Sequence, residues 1–147
     1  MKEYMDRCQM IHGDLGDSSL RYATPGSIDC VISGYAIHHL PHSRKKALYQ
    51  EIYDLLTPGG IFINIEHVAS ATAELENLYD ELFIDHLALY NKRDRSEVAR
   101  EYAHRPDKAD NILERVDVQV DWLREIGYRH ADCYFKWLEL AVFGGVK

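Results

Sequence analysis

The stretch from Ile28 to Glu66, IDCVISGYAIHHLPHSRKKALYQEIYDLLTPGGIFINIE, constrains the fold more than any other part of the chain. Ile28–Ser33 is a short, mostly apolar run rich in β-branched residues. Such a run suits a strand covered on both faces of a parallel sheet. From His42 to Leu56 the apolar residues Ala47, Leu48, Ile52, Leu55 and Leu56 recur at helical spacing. Thr57-Pro58-Gly59-Gly60 then stops the helix, because proline lacks an amide donor and glycine tolerates positive φ. Ile61–Ile65 follows as a second apolar strand. Strand, helix and strand in this order form a βαβ unit with a right-handed crossover.

The flanks are read in the same way. Met1–Arg7 is a helix end or lead-in, Cys8–His12 a short strand, and Gly13–Asp17 a turn. Thr72–Tyr102 is helical with a break near Asn91–Ser96. Its stripe of Leu75, Leu78, Tyr79, Leu82, Phe83, His86, Leu87 and Tyr90 is expected to be core. Residues 72–109 then form a helical, lid-like segment within a single domain spanning 1–147. Asn111–Ile126 is a further helix, ended by Gly127, and two strands close the chain at Arg129–Phe135 and Leu138–Phe143.

Composition excludes several classes. With 24 Asp+Glu against 17 Lys+Arg and a net charge of −7, the bulk field repels phosphate, so nucleic acid is disfavoured as a partner. Arg44-Lys45-Lys46 is the best basic cluster, and it reads as a solvated helix face. No apolar run reaches the ~20 residues of a membrane span. The N-terminus lacks the apolar core of a signal peptide, which points to the cytoplasm. Cys8, Cys30 and Cys133 are scattered and form no CxxC pair; buried, reduced thiols are expected. Eight histidines raise the question of a metal, but neither HExxH nor Cys/His ligand spacing is present, and no metal is expected.

Four pieces then match a known pattern in order. They are His12-Gly13-Asp14-Leu15; Asp29–Leu40, of the form DxVxSxxAxHHL; Leu55–Gly60, LLTPGG; and Trp122–Gly127 followed by Tyr134–Gly145. Together they resemble the downstream half of a class I S-adenosylmethionine-dependent methyltransferase. The resemblance implies a Rossmann-like α/β sheet of strand order 3-2-1-4-5-7-6 with the seventh strand antiparallel. It also implies S-adenosylmethionine as cofactor and a small molecule or RNA as methyl acceptor. The type of acceptor is not legible. No GxGxG-like run occurs. The first two strands, with the glycine-rich loop and the ribose carboxylate, are therefore expected to be absent, leaving a truncated sheet that ends in an antiparallel hairpin.

The resemblance also nominates residues. Ligands of open α/β sheets lie beyond the carboxyl ends of the strands. Asp14 and Leu15 are placed for the adenine, although GDLGD equally reads as turn chemistry. Ser33, Gly34 and Tyr35 are placed along the methionine moiety, Gly34 through close backbone approach. Tyr35 alternatively packs on the sheet. His38 and His39 are candidate bases, since imidazole titrates near neutrality; fixing the loop by hydrogen bonds is the preferred alternative. Glu66 and His67 end the second strand, where they meet substrate or cap the next segment.

Two expectations follow from the missing strands. The strand at Ile28–Ser33 is left with an unpaired edge, to be covered by Cys8–His12 or by a second chain in a homodimer. Losing several cofactor hydrogen bonds at ~1 kcal/mol each, set against about −8 kcal/mol for micromolar binding, predicts weak or no cofactor binding by the isolated monomer. A non-catalytic module acting through oligomerisation or partner binding is the competing reading. A relationship to the carboxy-S-adenosylmethionine synthases is a third, on a loosely similar closing region.

Overall fold

A computed structural model describes residues 7–17, 20, 23–106 and 110–147. The reading of Met1–Arg7 lies almost wholly outside them. The order is β1 (Ile28–Gly34), a short 3-10 turn (Ile37–His39), α1 (His42–Leu55), β2 (Leu56–His67), α2 (Ala73–Asn91), α3 (Arg95–Ala103), α4 (Val116–Ile126), β3 (Arg129–Trp137) and β4 (Leu140–Val146). The four strands form one sheet in the order β1-β2-β4-β3. β1 and β2 are parallel, and β4 runs antiparallel to both β2 and β3. This is the 4-5-7-6 portion of the expected order, closing in the expected hairpin. No helix among the described residues is long and apolar enough to cross a membrane.

One core forms where α1 and α4 cover the sheet. Leu48, Tyr49 and Ile52 of α1 meet Phe62 of β2, Val120 and Leu123 of α4, and Phe143 of β4. Their i, i+3, i+4 spacing places them on single helix faces. Gly144 lets β4 lie close against β2: a Cβ there would stand 1.9 Å from the carbonyl oxygen of Phe62. Along β2 the buried face carries Phe62, Asn64 and Glu66, while Ile61, Ile63 and Ile65 alternate to the opposite face.

That opposite face is open. Ile32 is 68% exposed and Ile61 41%, so β1 is a one-sided edge strand and not the doubly covered strand expected from its composition. Cys8–His12 does not form a strand. Met10 and Ile11 are exposed, and the described part of the sheet ends at β1, so the segment has no ladder to join. Cys8 and Cys30 are exposed rather than buried, while Cys133 is partly covered.

The long helical segment divides as expected. Thr72 caps α2 by accepting the Leu75 amide, and Asp94 caps α3 by accepting those of Ser96 and Glu97. Its stripe, however, is not core. Leu78, Leu82 and Tyr90 are exposed, and the buried residues are Ile84, Ala88 and Val98. The physical reason is that α2 packs mainly on α3, reaching the sheet through Phe83 and His86 against Trp137. The last helix begins at Val116, not Asn111, because residues 111–115 form a connection without helical hydrogen bonding.

Candidate functional site

The turn after β1 is organised by buried charge. Tyr35 donates its amide to the Ile65 carbonyl (2.9 Å), which carries the chain across the end of β2. Glu66, 1% exposed, then gathers three donors. Its Oε2 accepts the Ile37 amide (3.0 Å), and its Oε1 accepts the His67 amide (3.0 Å) and lies 2.5 Å from His38 Nδ1. A buried carboxylate is tolerable only when its lone pairs are satisfied in this way. Burial lowers the pKa of His38 below the ordinary imidazole value, outweighing the opposing pull of Glu66.

Beneath the same turn lies Lys45, 1% exposed. Its ammonium donates to the carbonyls of Leu40 (2.7 Å), His38 (3.3 Å) and Ile112. The expectation that Arg44-Lys45-Lys46 forms a solvated face is therefore corrected. Lys45 points inward because it falls three and four residues before Leu48 and Tyr49 on the buried face of α1. Burial lowers its pKa. Arg44 pairs with Glu51 at 2.6 Å, and Lys46 pairs with Glu125.

Beyond the carboxyl ends of β1 and β2 is a cavity of about 430 Å³. Tyr35, His38, His39 and His67 form its sheet side, and Tyr79, Asp80, Phe83, Tyr102 and Arg105 its helical side. Leu138 and Glu139, from the β3–β4 turn, complete the wall. The rings of His38 and His39 are 3.9 Å apart, and those of His38 and His67 are 5.9 Å apart. His67 Nε2 lies 3.2 Å from Glu139 Oε2, while Ser70 donates to Glu139 Oε1 at 2.6 Å. Burial pushes the Glu139 carboxyl up, but these hydrogen bonds outweigh it and leave the pKa lowered. Tyr35 and Leu138 carry positive φ, +51° and +53°. Both line the cavity, and such backbone strain gathers at binding sites.

The sequence-derived residues thus divide. Tyr35, His38, His39 and His67 come together in the cavity wall, and Glu66 supports them from beneath. Ser33 and Gly34 lie at the end of β1 beside the site, and a Cβ on Gly34 would meet nothing within 4 Å. Open space therefore fronts that backbone. Asp14 and Leu15 stand apart from the cavity. Asp14 Oδ1 accepts the Gly16 amide at 2.7 Å, the turn geometry that GDLGD also suggested, and the Leu15 carbonyl accepts from Arg44 at 2.8 Å. Sequence reasoning missed Lys45, Asp80, Arg105 and Glu139. For Glu139 the only signal was a charge between two apolar strands.

Residues 2–64 match the family model described as "Methyltransferase domain". The carboxy-S-adenosyl-L-methionine synthase of Helicobacter hepaticus is 27% identical over 112 residues, which cover 75% of this chain and 45% of that protein. The chain spans about half the length of the curated relatives it matches. Among solved structures, an O-methyltransferase family protein from Burkholderia thailandensis superposes with a TM-score of 0.63 at 13% identity, covering 99% of this chain and 37% of the other. PigF, solved with SAH, gives 0.59 at 17% identity, with coverages of 99% and 37%. Strand order and structural neighbours together give this chain the downstream part of the class I S-adenosylmethionine-dependent methyltransferase fold, and its first 64 residues are similar to a methyltransferase domain.

Proposed function

We propose that the chain contributes the acceptor side, and the β1-side half of the cofactor site, to S-adenosylmethionine-dependent methyl transfer onto a small molecule. The supporting observation is the cavity itself. The ends of β1 and β2 bring Tyr35, His38, His39 and His67 together opposite α2 and α3. Its volume of about 430 Å³ lies within the usual range for small-molecule pockets, and is small for an RNA substrate.

The bound cofactor supplies an electrophilic methyl group. On this reading Ser33, Gly34 and Tyr35 hold its methionine end, and Asp14 and Leu15 its adenine end. The cavity fixes the acceptor in line with the methyl group, which is the main source of acceleration in such a transfer. Glu66 fixes the His38 ring by its Nδ1, while burial keeps that ring neutral and able to accept a proton. His67, held by Glu139, is a second proton acceptor on the same wall, and His39 is a third imidazole beside them. Residues 72–109 act as the lid.

Calorimetric titration of the 147-residue chain with S-adenosylmethionine tests the reading. Micromolar binding supports it, and Gly34→Val should then weaken that binding. The absence of binding favours the non-catalytic module, or a site completed by another subunit. The curated relatives favour a second reading, in which carboxy-S-adenosyl-L-methionine is the product. Mass analysis of the modified cofactor separates the two.

A further inference from the structure

The cavity continues past its first chamber. A smaller space of about 190 Å³ shares His67, Asp80, Tyr102, Arg105, Asn111 and Glu139 with the larger one and adds Glu76 and Leu113. Glu76 and Asp80 are four residues apart on α2, so they stand one above the other on one helix face. Tyr79, Phe83 and Tyr102 give the larger chamber aromatic walls.

Carboxylates outnumber permanent cations in the lining of the smaller space. Three carboxylates, Glu76, Asp80 and Glu139, line the smaller space, against Arg105 as the permanent cation among the described lining residues, and Asp80 already accepts the Tyr102 hydroxyl at 2.6 Å. Asn111 adds a buried Oδ1 with no hydrogen-bond partner among the described residues. Hydrogen bonds from Ser70 and His67 hold Glu139 ionised. Two of the rings already attract cations. Lys136 Nζ lies 5.2 Å from the Tyr79 centroid, and Arg105 Cζ lies 5.4 Å from that of Tyr102. A chamber with aromatic residues on its helical side, leading to carboxylates and an unfilled acceptor, complements an organic cation with N–H donors.

We propose that the ligand of this cavity is a small molecule bearing a protonated amine. Its apolar body lies against Tyr79, Phe83 and Tyr102, and its ammonium group reaches Glu76, Asp80 and Asn111. The inference rests on the reading of the cavity as the acceptor site.

A matched pair of probes tests it. The whole chain is titrated by calorimetry, without cofactor, with phenethylamine and separately with 3-phenylpropionate, which are similar in size and opposite in charge. The expected result is binding of the amine about tenfold tighter than the acid, the size of one favourable charge contact. The double substitution Glu76→Gln with Asp80→Asn should abolish that preference while circular dichroism remains unchanged. Should the double variant not fold, Glu76→Gln alone, at an exposed side chain, must reduce the preference. Equal binding, or the absence of binding by either probe at millimolar concentration, overturns the proposal. So does a preference for the acid, which would instead point to Arg105. An amine preference without any cofactor binding keeps the ligand class and leaves the chain as a ligand-binding module or as half of a cofactor site completed by another subunit. Cofactor binding without an amine preference does the reverse.

Discussion

His38 Nδ1 lies 2.5 Å from Glu66 Oε1 at a point where Glu66 is 1% exposed and His38 8%. The pair joins the turn after β1 to the end of β2 and sets the geometry of the cavity floor. Its electrostatics are asymmetric. Burial disfavours the imidazolium more than Glu66 favours it, so folding lowers the His38 pKa.

Acid should therefore destabilise the fold in a defined order. A group whose folded pKa lies below its unfolded value binds more protons when unfolded, so stability rises with pH across that interval. For His38 the contribution is complete above about pH 6.5, the unfolded value, and is lost as pH falls below it. Glu139, also lowered, adds a further loss below its ordinary value of 4.5. The melting temperature measured against pH should decline from neutrality downward, and His38→Gln should flatten the upper part of that decline. A melting temperature that rises on acidification to pH ~6 would contradict the assignment.

Lys45 is the second buried charge of the turn. Replacing it by methionine retains the stem and removes the donor to the carbonyls of His38, Leu40 and Ile112. Relief of ammonium desolvation offsets part of the loss. Lys45→Met should cost about 1–3 kcal/mol in urea denaturation, with unchanged cooperativity. A stabilised variant would mean that desolvation outweighs the three hydrogen bonds.

Gly144 tests the β2–β4 contact. The backbone of β2 occupies the space a side chain would need, with Phe62 oxygen 1.9 Å from the ideal Cβ position. Neither backbone can yield without breaking the ladder between Phe62–Gly145 and Ile63–Gly144. Gly144→Ala should lose about 3 kcal/mol or more, at or beyond the upper end for overpacking, and thermal melts would register it. Gly34→Ala, facing open space, should be nearly neutral for stability.

The open face of the sheet should make the chain self-associate. Ile32 and Ile61 are exposed on it beside the edge of β1, which has no strand partner among the described residues, the arrangement that templates strand pairing. Light scattering during size-exclusion chromatography should show a mass that rises with concentration, and Ile32→Lys should reduce that rise. A concentration-independent monomer would remove the homodimer proposal.

What the sequence determined by itself was local or periodic. The βαβ unit from Ile28 to His67, the break between α2 and α3, and the closing hairpin all follow from apolar spacing and from Pro58, Gly59 and Gly127, whose effects act over a few residues. The same patterning put His38, His39 and His67 near strand ends, and hence near one another. Tertiary structure alone decided which apolar surfaces are covered. Ile32 and Leu82 look like core residues in the sequence, yet they lie in the open because burial depends on a neighbouring element, not on the side chain. It also decided the polar partners. Lys45 and Ile112, like His67 and Glu139, are about seventy residues apart, and no local pattern encodes a hydrogen bond that exists only once the sheet has brought its ends together.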